Sequence, residues 1–279
     1  MTVYVLIPVF NRLELTRRVL GCLRDQRSDE RMELIVIDDG STDGTRDFLA
    51  NASDITVLNG DGTLWWGGAI DLGLRHVLSA GRPGDWVLLV NNDTLFFPDF
   101  LQGLVDTARV HAPAAVGSIV CDEGDPETVI SVGAIIDTWR LRVCDKLEAR
   151  RRRHNTGSPH VVDALSARGT LYPIGAFRAA GVMNPKWLPH YLADYELALR
   201  VRKAGYRLLV SEQSVVLSAH VFGTAWRPTG LLDRFFMIRS PSYLPAVVTF
   251  WWRVSSFVER LSLLPRLIYV SLVSCRTVQ

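Results

Sequence analysis

The sequence has 279 residues and a mass of 31.2 kDa, which fits one large α/β domain, or one domain with a small appendage, better than several domains. Hydrophobic residues make up 48% and charged residues 22%, with Gly and Pro scattered, and this excludes a disordered, collagen-like or repeat-built chain. The net charge of +2 gives no broad basic field, so we expect no nucleic-acid partner.

Strand and helix patterns alternate through the first 110 residues. Apolar runs predict strands at 3–9, 33–37, 55–58 and 86–90, and amphipathic or capped stretches predict helices after Asn11, from Ser41, at 67–79 and at 98–109. Asn11 with Glu14 forms a capping-box pattern for the first helix. Such alternation predicts a parallel sheet, whose ligands bind beyond the carboxyl ends of the strands.

The second half has shorter predicted elements. Strands are expected within 116–136 and 161–173, a helix at 193–204, and strands at 206–210 and 215–219. We place a boundary near Pro228, so that residues 1–228 form the main domain and 229–279 a helical, amphipathic tail. From residue 231 onward six Arg face two acidic residues, a local charge of about +4.

The four cysteines, Cys22, Cys121, Cys144 and Cys275, are far apart and form no C-x-x-C pair. This spacing favours neither a metal knuckle nor a disulfide scaffold, and a reducing cytosol is the expected compartment. The first residues lack the basic stretch of a signal peptide, so the chain is expected to stay inside the cell.

Acidic side chains follow two of the predicted strands. Asp38 and Asp39 end the second strand, where carboxylates could bind the base or ribose of a nucleotide, or could simply form a turn and cap a helix. Asn91, Asn92 and Asp93 follow the strand at 86–90. Asp93 could share Mg²⁺ or Mn²⁺ with a diphosphate, and the alternative is a strand-ending Asx turn.

A third candidate lies in the second half of the chain. Asp194, Tyr195 and Glu196 open the predicted helix, so Asp194 could be a general base in a cleft or only a favourable charge at a helix start. His220, after the last strand, could bind a metal or be an ordinary hydrogen-bonded histidine. Spacing alone does not separate these alternatives.

Taken together and in this order, the motifs resemble those of the inverting glycosyltransferases of family 2. The resemblance rests on Pro8-Val9-Phe10-Asn11, Asp38-Asp39-Gly40-Ser41, Asn92-Asp93 and Asp194-Tyr195-Glu196-Leu197 with Arg200, and it covers about residues 3–220. It implies the GT-A fold, an α/β fold with a mostly parallel central sheet flanked by helices.

The resemblance also implies roles for individual residues. It makes Asp39 the contact to the nucleotide base, Asp93 the metal ligand with His220 in a similar position to a second one, and Asp194 the catalytic base. The donor side would also include Pro8, Phe10, Asp38 and Asn92, together with Gly67 and Gly68, whose backbone N–H groups could approach phosphate. Trp65 and Trp66 could stack on a sugar on the acceptor side or simply fill core, and Glu196 is also expected on the acceptor side. Two departures stand out: the D-x-D motif reads Asn-Asn-Asp, and Ala193 replaces the Glu that often precedes the base.

The resemblance implies transfer of a hexose or deoxyhexose, with inversion, from a nucleotide-diphosphate sugar to a hydroxyl of a cell-surface glycan or lipid-linked acceptor. A divalent metal, Mn²⁺ or Mg²⁺, would assist, and bacterial polysaccharide enzymes suggest a thymidine- or uridine-linked donor. The alternatives are a nucleotidyltransferase, which needs no acceptor base, and a catalytically silent carbohydrate-binding module.

The tail suggests contact with a membrane surface. Residues 240–252 are an uncharged stretch ended by Arg253, shorter than the roughly 20 residues that a spanning helix needs. Aromatic residues and basic charge suit an anionic interface, although the tail could instead pack on the main domain or on a second subunit. We expect a cytoplasmic protein held peripherally on the inner face of the cell membrane.

Overall fold

The computed structural model describes residues 1–146, 157–218 and 228–276. The strands in these ranges are β1 (Thr2–Val9), β2 (Arg31–Asp38), β3 (Ile55–Asn59), β4 (Trp86–Leu89), β5 (Thr94–Phe96), β6 (Ala114–Asp122), β7 (Val129–Ser131), β8 (Ala134–Asp137), β9 (Arg142–Asp145), β10 (His160–Val161), β11 (Thr170–Pro173) and β12 (Arg207–Ser218). The helices are α1 (Leu13–Arg24), α2 (Thr45–Ala50), α3 (Trp65–Ala80), α4 (Phe100–Val110), α5 (Ile174–Ala180), α6 (Ala193–Lys203), α7 (Leu231–Phe236), α8 (Leu244–Val254), α9 (Phe257–Leu261) and α10 (Leu263–Arg276).

A central sheet runs through the described part of the chain. Its strands follow the order β10-β12-β6-β11-β4-β1-β2-β3, with β5 paired to β12 and β7 to β6. The four strands β3, β2, β1 and β4 are parallel, and β12 is parallel to β6, while β11 runs antiparallel between β4 and β6. The prediction of a mostly parallel sheet flanked by helices is confirmed.

Both faces of the sheet are covered, because alternate side chains of the central strand belong to different cores. Tyr4 and Leu6 pack on the side of α3, α5 and α6, whereas Val3, Val5 and Ile7 pack on the side of α1 and α4. Burial on both faces explains why β1 reads as a continuous apolar run.

Two local expectations differ from the structure. Asn11 does not cap α1: the helix begins at Leu13, and the Leu13 N–H donates to Asp43 Oδ2 at 3.0 Å, from the loop after β2. The two predicted strands at 206–210 and 215–219 are one strand, β12, whose pairing register with β6 shifts between Ser211 and Val215.

The C-terminal segment packs against the main domain. Ala246, Phe250, Trp251, Leu263 and Leu267 are buried in the core on the α3, α5 and α6 side of the sheet. Pro228 remains a boundary predicted from composition. In the described ranges no helix has the length and apolar character needed to cross a membrane.

Candidate functional site

The predicted donor-side residues lie at one edge of the sheet, where parallel strands end. Val9 pairs with Asp38 across β1 and β2, and Leu6 pairs with Leu89 across β1 and β4. The residues that follow these strands therefore meet at the same edge. Phe10 is half-exposed there, and Pro8 is partly buried within β1.

The two adjacent carboxylates at the end of β2 shape the edge. Asp38 is fully buried, accepts the Ser41 N–H at 3.0 Å and lies 3.5 Å from Arg46, so it holds its own turn and is not accessible to a donor. Asp39 accepts the N–H groups of Gly62 at 2.9 Å and Trp65 at 3.1 Å. It thereby fixes the loop before α3, and its contact to a nucleotide base remains a prediction.

The link between β1 and α1 has an unusual backbone. Asn11 and Arg12 have φ values of 58° and 64°, a left-handed conformation that costs a non-glycine residue about 1–2 kcal/mol. The β2–α2 loop holds Asn11 in place: its N–H donates to Ser41 Oγ at 2.7 Å, and its Oδ1 accepts the Thr42 N–H at 2.8 Å. This loop contact replaces the predicted helix cap and directs Arg12 toward the end of β4.

Asp93 is the open carboxylate of the Asn-Asn-Asp motif. Asn91 Oδ1 accepts the indole N–H of Trp66 at 3.0 Å, and Asn92 is buried with its amide 3.4 Å from Thr16 Oγ1. The Asp93 side chain is 44% exposed, and Arg12 Nη1 lies 3.3 Å from its Oδ2. Asn92 is therefore less available to a donor than predicted, and Asp93 remains the candidate ligand.

The chemistry around Asp93 fits a hard divalent cation. A cationic group already lies against this carboxylate, and Mg²⁺ or Mn²⁺ commonly takes one carboxylate with phosphate oxygens and water. Over residues 1–146, 157–218 and 228–276, no three His, Cys, Asp or Glu side chains are grouped so as to hold a metal. A cation at Asp93 would therefore draw its other ligands from substrate and solvent. His220 lies outside the described residues.

The start of α3 contacts the loop before α6. Gly67 is buried, its N–H donates to Pro189 O at 2.7 Å, and a Cβ there would lie 2.6 Å from Leu188 O. The Gly68 N–H donates to Leu64 O at 3.0 Å. Both N–H groups thus have acceptors within the protein, so these glycines serve close packing in place of the predicted phosphate contact.

Asp194 is placed near the end of β4 by its hydrogen bonds. Its Oδ2 accepts the Ala167 N–H at 3.2 Å, and its Oδ1 accepts the Tyr195 N–H at 2.9 Å. Two residues after Ala167, the Gly169 N–H donates to Leu89 O, the last residue of β4, at 3.0 Å. A short loop therefore connects the Asp194 carboxylate to the strand that leads into Asp93.

Burial raises the pKa of Asp194, while the N–H groups of Tyr195 and Ala167 and the charge of Arg168 act in the opposite direction. The net rise makes Asp194 a stronger base than an exposed aspartate, because the desolvated carboxylate gains more from taking up a proton. A carboxylate of this kind, near the strand end that leads into the candidate ligand Asp93, can accept a proton from a nucleophile.

Glu196 has a different role from the one predicted. It is buried, accepts Arg200 Nε at 2.9 Å, and accepts Arg253 Nη1 from α8 at 2.8 Å. Arg200 also donates to the backbone oxygens of Ala180 and Val182. In place of an acceptor contact, Glu196 joins α6 to the C-terminal segment and to the end of α5.

The two tryptophans at the start of α3, Trp65 and Trp66, make different contacts. Trp66 packs against the core, and its indole N–H is bound to Asn91, so it connects α3 to the end of β4. Trp65 has φ 55°, its ring lies 6.0 Å from that of His190, and the Arg239 guanidinium is 5.8 Å from its centroid. Trp65 is therefore the better placed of the two to contact an acceptor.

Sequence reasoning missed two residues of this site. Nothing in the sequence sets Arg12 apart from the helix predicted after Asn11, although Asn11 is a residue type that tolerates the left-handed region. His190 stands five residues before Tyr195; burial and then the Arg12 charge lower its pKa, and its Nδ1 has no hydrogen-bond partner in the described part of the chain. No spacing pattern marks either residue.

Solved structures with similar folds include glycosyltransferases. The chain matches GalNAc-T7 with UDP, GalNAc and Mn²⁺ (TM-score 0.69, 14% identity, 91% of this chain and 48% of that one) and S. aureus TarS (TM-score 0.57, 15%, 78% and 37%). It also matches mannosyltransferase PcManGT from Pyrobaculum calidifontis in complex with GDP-Man and Mn²⁺ (TM-score 0.54, 18%, 79% and 57%). The chain thus spans 37–57% of the length of these proteins.

Sequence comparison gives the family. "Uncharacterized protein Rv1525" of Mycobacterium tuberculosis and "Uncharacterized protein Mb1552" of Mycobacterium bovis are each 26% identical over 214 residues, which cover 76% of this chain and 72% of theirs. The model of the family described as "Glycosyl transferase family 2" matches residues 4–193, more than half of the chain. With the GT-A fold and the strand-end site in place, the chain belongs to glycosyl transferase family 2 and has a glycosyltransferase-type function.

Proposed function

We propose that the protein moves a hexose or deoxyhexose from a nucleotide-diphosphate sugar to a hydroxyl of a glycan or lipid-linked acceptor, with inversion at the anomeric carbon. The observation that carries this proposal is Asp194, a desolvated carboxylate that a short loop connects to the end of β4, where Asp93 follows. TarS in complex with UDP-GlcNAc and PcManGT with GDP-Man, both of similar fold, support a nucleotide-sugar donor.

In this reaction Asp194 takes the proton of the acceptor hydroxyl as that oxygen bonds to the anomeric carbon. The bond from the anomeric carbon to the donor phosphate oxygen breaks, and the nucleoside diphosphate leaves with the electron pair. A single displacement of this kind inverts the anomeric centre. A divalent cation held by Asp93 would neutralise charge on the departing diphosphate.

For the acceptor we propose the open cavity beside Trp65, of about 520 Å³. Its walls include Leu64, Trp65, Pro185 and Tyr243, with the charged side chains of Asp71 and Lys186 also lining it. Flat aromatic and proline faces suit the apolar side of a sugar ring, and charged groups suit its hydroxyls. The position of Trp65 next to His190 places this cavity beside the loop that leads into α6.

A donor screen tests the proposal. Purified full-length protein is incubated with Mn²⁺ and each of a panel of uridine-, thymidine-, guanosine- and cytidine-diphosphate sugars, and release of nucleoside diphosphate is measured with and without acceptor extracts. We expect turnover of a uridine- or thymidine-linked sugar that Asp194→Asn abolishes. Release of pyrophosphate from a nucleoside triphosphate would support a nucleotidyltransferase, and sugar binding without turnover of any donor would support a binding module.

We also propose that the enzyme works on the inner face of the cell membrane, held there by its C-terminal segment. Phe257, Val258, Leu261, Leu264 and Ile268 are all more than half exposed, next to Arg260, and together form an apolar surface on α9 and α10. Aromatic and apolar side chains beside basic charge suit an anionic headgroup region.

Flotation with anionic vesicles tests this attachment. Deleting the segment would also expose the core around Phe250, so surface substitutions are the better variants. We expect Phe257→Ser with Leu261→Ser and Leu264→Ser to lose most vesicle binding, and Val110→Ser, which removes an equally exposed apolar side chain from α4, to keep it. Equal binding by all proteins would contradict membrane attachment through this surface.

A further inference from the structure

The proposed reaction assigns no role to Arg12, although its side chain lies against Asp93. Arg12 is left-handed, like Asn11 before it, and the loop after β2 holds Asn11 through Ser41 and Thr42. Its guanidinium consequently crosses from the start of α1 to the end of β4, where Nη1 lies 3.3 Å from Asp93 Oδ2. The left-handed backbone at Arg12 is strained and places a charged side chain against the candidate ligand Asp93, which indicates a functional constraint.

The stability gained from the Arg12–Asp93 ion pair does not explain the strained backbone at Arg12. The side chains of Arg12 and Asp93 are 39% and 44% exposed, and ion pairs at such exposure contribute little to stability. The contact is a single hydrogen bond of 3.3 Å, slightly longer than the normal range of about 2.7–3.2 Å, without the bidentate geometry of a strong arginine–carboxylate pair. Both partners can therefore separate at small cost.

A diphosphate that shared a cation with Asp93 would lie within reach of the Arg12 guanidinium, because that group is 3.3 Å from Asp93 Oδ2. Arginine is suited to phosphate because its planar fork of N–H groups matches two phosphate oxygens. A divalent cation at Asp93 and the Arg12 guanidinium repel each other if both stay on the same carboxylate, and the incoming diphosphate offers Arg12 a new partner.

We propose that Arg12 exchanges partners during donor binding: it neutralises Asp93 in the empty enzyme and binds the donor diphosphate once a divalent cation takes its place on Asp93. Arg12 is thus a donor-binding residue and a competitor of the metal. This inference rests on the proposed nucleotide-sugar donor, because it requires a diphosphate at the end of β4.

Binding measurements on the full-length protein test the exchange, with Arg12→Ala, Arg12→Lys and the control Arg18→Ala. Arg18 lies on α1, six residues after Arg12, and is paired with Glu123 at similar exposure, 48% and 35%. With Mn²⁺ present, we expect Arg12→Ala to bind UDP or dTDP about tenfold more weakly, a loss typical of one charge-assisted contact, and to bind the nucleoside within twofold of the wild type. Arg12→Lys should recover part of the loss, and Arg18→Ala should match the wild type.

Manganese affinity without nucleotide gives a second, independent readout by electron paramagnetic resonance of the free ion. We expect Arg12→Ala to bind Mn²⁺ several-fold more tightly than the wild type, because no guanidinium competes for Asp93. Equal diphosphate affinity in Arg12→Ala and wild type, or Mn²⁺ binding in Arg12→Ala that is no tighter than in the wild type, would overturn the exchange. A wild-type protein that binds no nucleoside diphosphate would instead contradict the proposed function, and the manganese comparison would then decide only the competition at Asp93.

Discussion

Acidic side chains meet different partners in two regions of the molecule. At the edge where β1, β2 and β4 end, and at the start of α6, the carboxylates of Asp39 and Asp194 accept neutral backbone N–H groups. Where α6 meets α8, Glu196 lies between the guanidinium groups of Arg200 and Arg253.

The partners of Asp194 and Glu196 differ, and this difference separates a candidate chemical role from a structural one. A carboxylate held by N–H groups is fixed in position but keeps its charge, so it can still take up a cation or a proton. A buried carboxylate between two arginines is neutralised and no longer accessible. Two acidic residues in the same helical turn, Asp194 and Glu196, are therefore expected to have different roles, and the following predictions test this contrast.

The largest expected effect is that of Asp194→Asn. We expect the transfer rate to fall by at least about 100-fold, because an amide cannot take the acceptor proton and base catalysis contributes about 10²–10⁴-fold. The amide can replace only one of the two N–H contacts of Asp194, so thermal unfolding should accompany the kinetics. Calorimetric affinity for the nucleoside diphosphate should stay within a few-fold. A variant that keeps more than a tenth of the rate would refute the base role.

The pH dependence of kcat/KM should reflect the ionisation of Asp194. The pKa of Asp194 is raised from the ordinary value of 3.8 by burial, so the fraction of active carboxylate should fall at a higher pH than for an exposed aspartate. Below that pKa the rate should drop about tenfold per pH unit, because only the ionised form accepts a proton. Since the folded protein binds this proton more tightly than the unfolded chain does, ionisation of Asp194 lowers stability as the pH rises through its folded pKa. An acid limb no higher than pH 4 would contradict the assignment.

Glu196→Gln should act mainly on stability. Loss of the charge leaves Arg200 and Arg253 without their carboxylate, and we expect unfolding to become easier by about 2 kcal/mol, less than the 3–5 kcal/mol of a fully buried pair because both arginines are partly exposed. Glu33→Gln, which weakens the exposed pair with Arg31, is the matched control and should change stability by less than about 0.5 kcal/mol.

Transfer rates complete the comparison between Glu196→Gln and Asp194→Asn. At a temperature well below its unfolding transition, Glu196→Gln should transfer sugar much faster than Asp194→Asn. If the two variants lost activity equally while both stayed folded, Glu196 would belong to the reacting site after all.

The strand-end part of the site was predictable because it depends on local order along the chain. Apolar runs predicted β1, β2 and β4, and parallel strands end at one edge of a sheet, so Asp39 and Asp93 were both expected at the ligand-binding edge. That β1 lies between β2 and β4 came from the structure. The resemblance to the family then singled out Asp194. These inferences need only the sequence of elements and the residue type at each strand end.

The roles of Glu196, Gly67 and Arg12 could not be predicted, because they depend on contacts between segments that are distant in the sequence. Glu196 meets Arg253 across 57 residues, and Gly67 meets the loop before α6, so burial and charge pairing changed the meaning of both residues. The left-handed backbone at Asn11 and Arg12 accompanies hydrogen bonds from Asn11 to the β2–α2 loop, which no pattern within residues 11–14 contains. A predicted capping box failed there because a distant carboxylate, Asp43, took the helix N–H.

The smallest expected effect concerns Trp66. In Trp66→Phe the indole N–H that binds Asn91 Oδ1 at 3.0 Å is lost while most of the buried ring area remains, so we expect a stability loss of about 1 kcal/mol. A double-mutant cycle with Asn91→Ala should give a coupling energy of about 0.5–1.5 kcal/mol, since each single variant removes the same hydrogen bond. The acceptor KM should change little in Trp66→Phe and rise in Trp65→Ala, because Trp65 lines the open cavity and Trp66 packs on the core. A large rise in acceptor KM for Trp66→Phe, with stability unchanged, would instead make Trp66 the acceptor platform and its bond to Asn91 incidental.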